Sequence, residues 1–141
     1  MMLTTQHVDA LKRAGKPFAP PMTISGLVDT GASCSAIDRN LANGLGLVAK
    51  GVVSVHTPTT GSDYIDLLQY DVCLVLGAGQ ADALVLTLPV IESDFASEGF
   101  LALIGRDVLT SCMFNYDGPA ETFTIEWNSK RRSPPKRTGK R

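Results

Sequence analysis

The chain has 141 residues, 44% of them apolar and 19% charged. That balance excludes a disordered chain or a disulfide-stapled miniprotein, and is enough for one domain with its own core. The net charge of −1 conceals an asymmetry: seven of thirteen basic residues fall in 130–141 and all fourteen acids precede them, so 1–129 carries six basic groups and a net −8.

In chain order, Val8–Ala14 has helical spacing, with Val8 and Leu11 opposite Lys12 and Arg13, and Gly15 and Pro17 end it. Pro17, Pro20 and Pro21 predict an extended connector. Met22–Val28 reads as a strand running into Asp29. Asp38 is placed to cap a short helix through Leu45, closed by Gly44 and Gly46. From Gly51 the period becomes two, and Val53 to Leu67 predicts a long hairpin with a polar tip at 57–63. The strand resumes at Tyr64 and continues through Tyr70–Leu76.

Gly77-Ala78-Gly79-Gln80 predicts a turn; it starts like a dinucleotide loop, but Asp82 stands where the third glycine belongs and no periodic helix follows. Ala83–Ile91, almost wholly apolar, predicts a strand buried on both faces. A polar loop over Glu92–Gly99, a strand over Phe100–Ile104, a helix over Val108–Met113 with Asp107 near its N-terminus, a turn over Asn115–Ala120 and a strand over Thr122–Trp127 complete the reading. Residues 129–141, charged and without an apolar side chain, are expected to be a disordered tail.

Cys34, Cys73 and Cys112 form no Cys-x-x-Cys pair, so a reducing compartment is expected and a zinc site is not. Residues 1–13 lack a charged-then-apolar leader pattern, and the apolar run at 83–91 is too short to span a membrane. A soluble, cytoplasmic protein is expected, with no membrane partner. The basic tail at 130–141 lacks an aromatic or folded basic face, so nucleic acid is not expected as a partner.

The stretch Leu27-Val28-Asp29-Thr30-Gly31-Ala32-Ser33 sets a carboxylate where an apolar strand enters a tight turn, a poor design for a core and a good one for a reactive site. The plain alternative is a turn aspartate in a capping role. Cys34 has no Cys-His signature around it and reads as a small buried residue; Cys73 and Cys112 read as core, and His7 and His56 as surface residues. Asp-Thr-Gly occurs once. Later, Leu101-Ala102-Leu103-Ile104-Gly105-Arg106-Asp107 repeats the plan of an apolar strand ending in glycine before a helix.

The order of these motifs over residues 20–128 resembles the retropepsin-like aspartic proteases, that is, the retroviral enzymes and their cellular and bacterial relatives. The resemblance implies an all-β, single-lobe, closed barrel-like fold with a flap hairpin and one or two short helices, acting as a two-fold dimer. Residues 1–128 would be the protease domain, with the N-terminal helix and connector at about 7–21. Asp29 would be the catalytic aspartate, with Thr30 and Gly31 supporting the turn. Gly31, Ala32 and Ser33, with Thr59, Thr60 and Gly61 of the flap, would contact a peptide or protein substrate. Ile104, Gly105 and Arg106 would be structural, with a salt bridge for Arg106. No metal or cofactor is implied. With one Asp-Thr-Gly per chain, the second carboxylate must come from a homodimer mate.

Ser33 departs from the acid that many retroviral enzymes carry at this point. The flap has only Gly61 at its tip, and a family-like N-terminal strand would have to lie in Met1–Thr5. Thr122–Trp127 is then the better candidate for the dimer sheet. These departures also admit a weak or inactive module that dimerises or binds peptides.

Overall fold

The structure, a computed structural model, describes residues 1–55 and 64–127. The expected flap residues Thr59, Thr60 and Gly61, together with His56, and the tail at 129–141 lie outside the described residues.

The fold is mostly β, with 41% of residues in strands and 16% in helices. The elements are α1 (Thr5–Arg13), β1 (Gly26–Val28), β2 (Ala36–Asp38), α2 (Arg39–Gly44), β3 (Gly51–Val55), β4 (Ile65–Leu76), β5 (Leu84–Ser93), β6 (Ala102–Ile104), α3 (Arg106–Leu109), β7 (Cys112–Asp117) and β8 (Thr122–Trp127). Six strands form one mixed sheet in the order β1-β6-β2-β5-β4-β3, and β7 and β8 form a separate ribbon. Two pairs in the sheet are parallel, β1 with β6 and β2 with β5. The ladder ends at β1 on one side and β3 on the other, so among the described residues the hydrogen bonding forms an open sheet, not the closed barrel expected.

The core lies on one face of this sheet. Ile37, Val72, Val90, Ala102, Ile104 and Val108 are buried there, and α2 adds Leu41, Ala42 and Leu45. Asp38 caps α2 as expected, its Oδ1 accepting the Asn40 N–H at 2.7 Å. Helix α1 starts earlier than predicted because Thr4 caps it, accepting the His7 N–H. None of its residues is buried, and His7 is half-buried rather than freely exposed.

Five expectations are corrected. Strand β5 is not buried on both faces: Leu88 and Val90 point into the core, whereas Val85 is 59% exposed, because only one face of the sheet is covered there. Among the described residues, 84–90 have β4 as their only strand neighbour, which leaves room for Pro89 with no N–H to give. The polar loop expected from Glu92 begins later, since β5 runs to Ser93 and Glu92 and Phe95 are buried. The helix expected over Val108–Met113 is a single turn, Arg106–Leu109, and the turn expected from Asn115 is the strand β7. Met22–Ser25 is not strand; the ladder begins at Gly26.

The ribbon is amphipathic. Its register places Cys112, Phe114 and Tyr116 opposite Trp127, Ile125 and Phe123 on one face, while Met113, Asn115, Asp117, Thr122, Thr124 and Glu126 take the other. The Trp127 end is anchored: Nε1 donates to the Asp82 carbonyl at 2.6 Å, and the ring covers Gly77, where a Cβ would lie 2.8 Å from Cζ2. The far end is open, with Tyr116 65% and Phe123 55% exposed. Met2 pairs with Cys73 on β4 within the same chain.

Candidate active site

Strand β1 delivers Asp29 to a turn that returns to the sheet at β2. The Asp29 side chain is half-buried. Its Oδ1 accepts the Gly31 N–H at 2.7 Å, and its carbonyl accepts the Ala32 N–H at 3.3 Å. A side chain bonding backbone two residues on is the local habit of aspartate, and here it fixes the carboxylate relative to the turn. Oδ2 has no partner among the described residues. A Cβ at Gly31 would come 3.0 Å from Oδ1, so any other residue there would press on the carboxylate.

The segment after β6 holds this turn. The Asp29 N–H donates to the Ile104 carbonyl at 3.0 Å, extending the parallel β1–β6 ladder by one bond, and the Arg106 N–H returns to the Ala32 carbonyl at 3.0 Å. Arg106 Nη1 donates to the carbonyls of Thr30 at 2.8 Å and Gly31 at 2.9 Å. Gly105 is buried, and a Cβ on it would lie 2.7 Å from both the carbonyl carbon and oxygen of Cys34, so only glycine permits this approach.

Asp29, Thr30, Gly31 and Ala32 thus meet Ile104, Gly105 and Arg106 directly. Ser33 is exposed on the same turn. Arg106 corrects one expectation: it makes no ion pair among the described residues, and its guanidinium serves two backbone carbonyls instead. Cys34 and Cys112 are only half-buried, not buried as expected, whereas Cys73 is buried, and all three are free; burial pushes the Cys112 thiol up.

Sequence reasoning missed two residues. Ser35, buried just before β2, donates its N–H to Asp107 Oδ2 at 2.8 Å and its hydroxyl to Oδ1 at 2.6 Å. Its Oγ accepts the Gly105 N–H at 3.0 Å. The available signal was a small polar residue entering a strand and an acid following the second glycine, but 72 residues separate them.

The other buried acids are spoken for. Asp38 accepts the Phe95 N–H at 2.9 Å, and that bond, against burial, holds its carboxyl below the ordinary range. Glu92 accepts from Tyr70 Oη at 2.6 Å and Arg39 Nε at 2.8 Å. The Tyr70 bond is the main reason its carboxyl is depressed; burial, then that same bond, pushes Tyr70 up to about 12. Among the described residues no cluster of three or more His, Cys, Asp and Glu could hold a metal ion.

A cleft of about 340 Å³ adjoins the turn's support, between the ribbon and the sheet. Val28 and Ile104 line it on one side and Phe123 and Ile125 on the other. No described helix is long and apolar enough to cross a membrane. Comparison of the sequence with known proteins finds no protein-family model and no curated protein that matches it.

Proposed function

We propose that the protein is an aspartic endopeptidase of retropepsin-like fold, in which two copies of Asp29, one from each subunit of a homodimer, hydrolyse peptide bonds. The observation that carries this reading is the state of the Asp29 carboxylate. One oxygen is tied into a braced turn and the other has no described partner.

Peptide hydrolysis asks for a nucleophilic water and a polarised carbonyl together. Two carboxylates in hydrogen-bond contact cannot both ionise cheaply, so they share a proton. The ionised member takes a proton from the water, and the protonated member donates to the carbonyl oxygen as it becomes tetrahedral. The Gly31 N–H bond to Oδ1 would keep each carboxylate oriented through both steps. The half-covered apolar face of the ribbon, next to the cleft at Val28 and Ile104, is the surface we assign to the second copy.

Wild-type protein should sediment as a dimer and cleave members of a peptide library over an acidic to near-neutral range; Asp29→Asn should not cleave. A dimer that cleaves nothing at any pH, or an Asp29→Asn protein as active as wild type, defeats the proposal. The Oδ1 bond to Gly31 is also what an ordinary turn aspartate makes. It favours a second reading, a module that dimerises or binds peptides without turnover, for which Asp29→Asn leaves peptide affinity unchanged.

A further inference from the structure

We infer that Asp107 is a positioning residue for Asp29, acting through Ser35 and Gly105 at the far end of the turn. This rests on the proposed role of Asp29 for its effect on turnover, and on geometry alone for its effect on the turn.

A turn that presents a reactive carboxylate must be held at both ends. Its first end is held by the ladder bond from the Asp29 N–H to Ile104, and its middle by Arg106. Its second end, Ser35, is held by Asp107. That carboxylate accepts three bonds: from Ser35 N–H at 2.8 Å, from Ser35 Oγ at 2.6 Å and from its own neighbour Val108 N–H at 2.9 Å. Bonds to an ionised acceptor are roughly twice as strong as neutral ones.

An aspartate in a first helical turn is ordinarily explained by the helix dipole and by capping. Helix α3 has only four residues, and its cap position, Gly105, offers no side chain. Capping would need only the bond to Val108. The other two bonds cross 72 residues to reach the site turn. They also close a ring, because Ser35 Oγ accepts the Gly105 N–H at 3.0 Å. Gly105 in turn stands against the backbone of Cys34 with no space for a Cβ. A shift of Ser35 is therefore passed to Gly105, and from there to Ile104 and Arg106, the two residues that grip Asp29–Ala32.

The experiment is amide hydrogen exchange by NMR on the full chain, for wild type, Asp107→Ala and Ser35→Ala, with global stability measured in parallel by urea unfolding. In Asp107→Ala the amides of Asp29, Gly105 and Arg106 should exchange at least tenfold faster than the change in global stability accounts for. Val72 and Leu74 on β4 should change by no more than that global factor. If the three turn amides also change by no more than it, the inference is overturned. Should Asp107→Ala fail to fold, Ser35→Ala decides the matter, since it removes one hydroxyl and keeps the Ser35 N–H bond. Faster exchange at Asp29 and Arg106, whose amides do not bond to Ser35, beyond the global factor supports the inference, and its absence overturns it.

The kinetic arm compares folded Asp107→Ala, or Ser35→Ala in its place, with wild type well below the unfolding temperature. A fall of about tenfold or more in kcat with KM within about threefold is expected, because Asp107 touches the turn and not the substrate. Unchanged kcat in an active enzyme overturns the positioning role. If wild type itself has no peptidase activity, the proposed function fails, and the exchange arm still decides whether Asp107 holds the turn.

Discussion

The turn at 29–35 and the ribbon β7–β8 both depend on the segment Ile104–Leu109, but they are built in opposite ways. The turn is tied at its start by Ile104, in its middle by Arg106 and at its end by Asp107. The ribbon is anchored at Trp127 and then runs out with Tyr116 and Phe123 exposed on its apolar face. A carboxylate meant for chemistry needs a fixed geometry, and a surface meant for a partner needs to be left uncovered. The contrast fits the half-site proposed above: the structure is most tightly held at the carboxylate proposed to react, and apolar area is left open where the second copy would join.

The largest effect should come from Asp29→Asn. The asparagine oxygen can still accept the Gly31 N–H, so stability in urea should stay within about 0.5 kcal/mol of wild type. Peptidase activity should fall by about a thousandfold or more, in line with the loss of acid–base catalysis. A parallel loss of stability would show that the residue is mainly a turn former.

Gly105→Ala attacks the braced side directly. A Cβ 2.7 Å from the Cys34 backbone forces the two segments apart, and a loss of about 3 kcal/mol or more is expected in denaturant unfolding. A loss under about 1 kcal/mol would mean that the grip on the turn is loose. On the open side, Phe123→Asp should weaken dimerisation about a hundredfold by sedimentation, as loss of an aromatic anchor does at protein interfaces. Because Phe123 is more than half exposed, monomer stability should shift by less than about 1 kcal/mol. An unaltered dimer would remove the ribbon from the interface.

Tyr70→Phe sharpens the braced side from behind β2. It strips one bond from buried Glu92 and should cost about 1–3 kcal/mol. The pH dependence follows from signs. Glu92 and Asp38 are depressed on folding, so their contribution is present above their ordinary values near 4 and is lost as pH falls through the lower folded values. Tyr70 is raised, so its contribution is present below pH 10 and is lost as pH rises toward about 12. Urea midpoints should drop below pH 4.5 in wild type, and the drop should be smaller in Tyr70→Phe. The smallest effect is a gain. Glu121, at the tip of the ribbon, has φ 51°, which a residue with a Cβ tolerates poorly, so Glu121→Gly should add up to about 1 kcal/mol without altering the dimer.

Much of the braced side was legible in the sequence. Val28-Asp29-Thr30-Gly31 announces a strand entering a tight turn, and Asp38 announces α2, because both are local signals. On the open side only β8, Thr122–Trp127, was legible. Cys112–Asp117 forms a strand because β8 pairs with it, while locally it follows a helical turn and carries Asn115 and Asp117, which look like turn residues. Strand β2 escaped notice because three residues carry no period. The Ser35–Asp107 bonds could not be read either, since neither residue signals the other across the chain. Nor could the covering of β5 on one face alone, which depends on where α2 and β2 pack.

The claim that one active site needs Asp29 from two chains is tested most directly by mixing. Wild-type protein is equilibrated with increasing shares of Asp29→Asn at fixed total concentration, and peptide cleavage is followed. If each site takes one Asp29 from each subunit, mixed dimers are inactive and the rate falls as the square of the wild-type fraction. A rate that falls in simple proportion to that fraction would mean that each chain works alone, and would contradict the account.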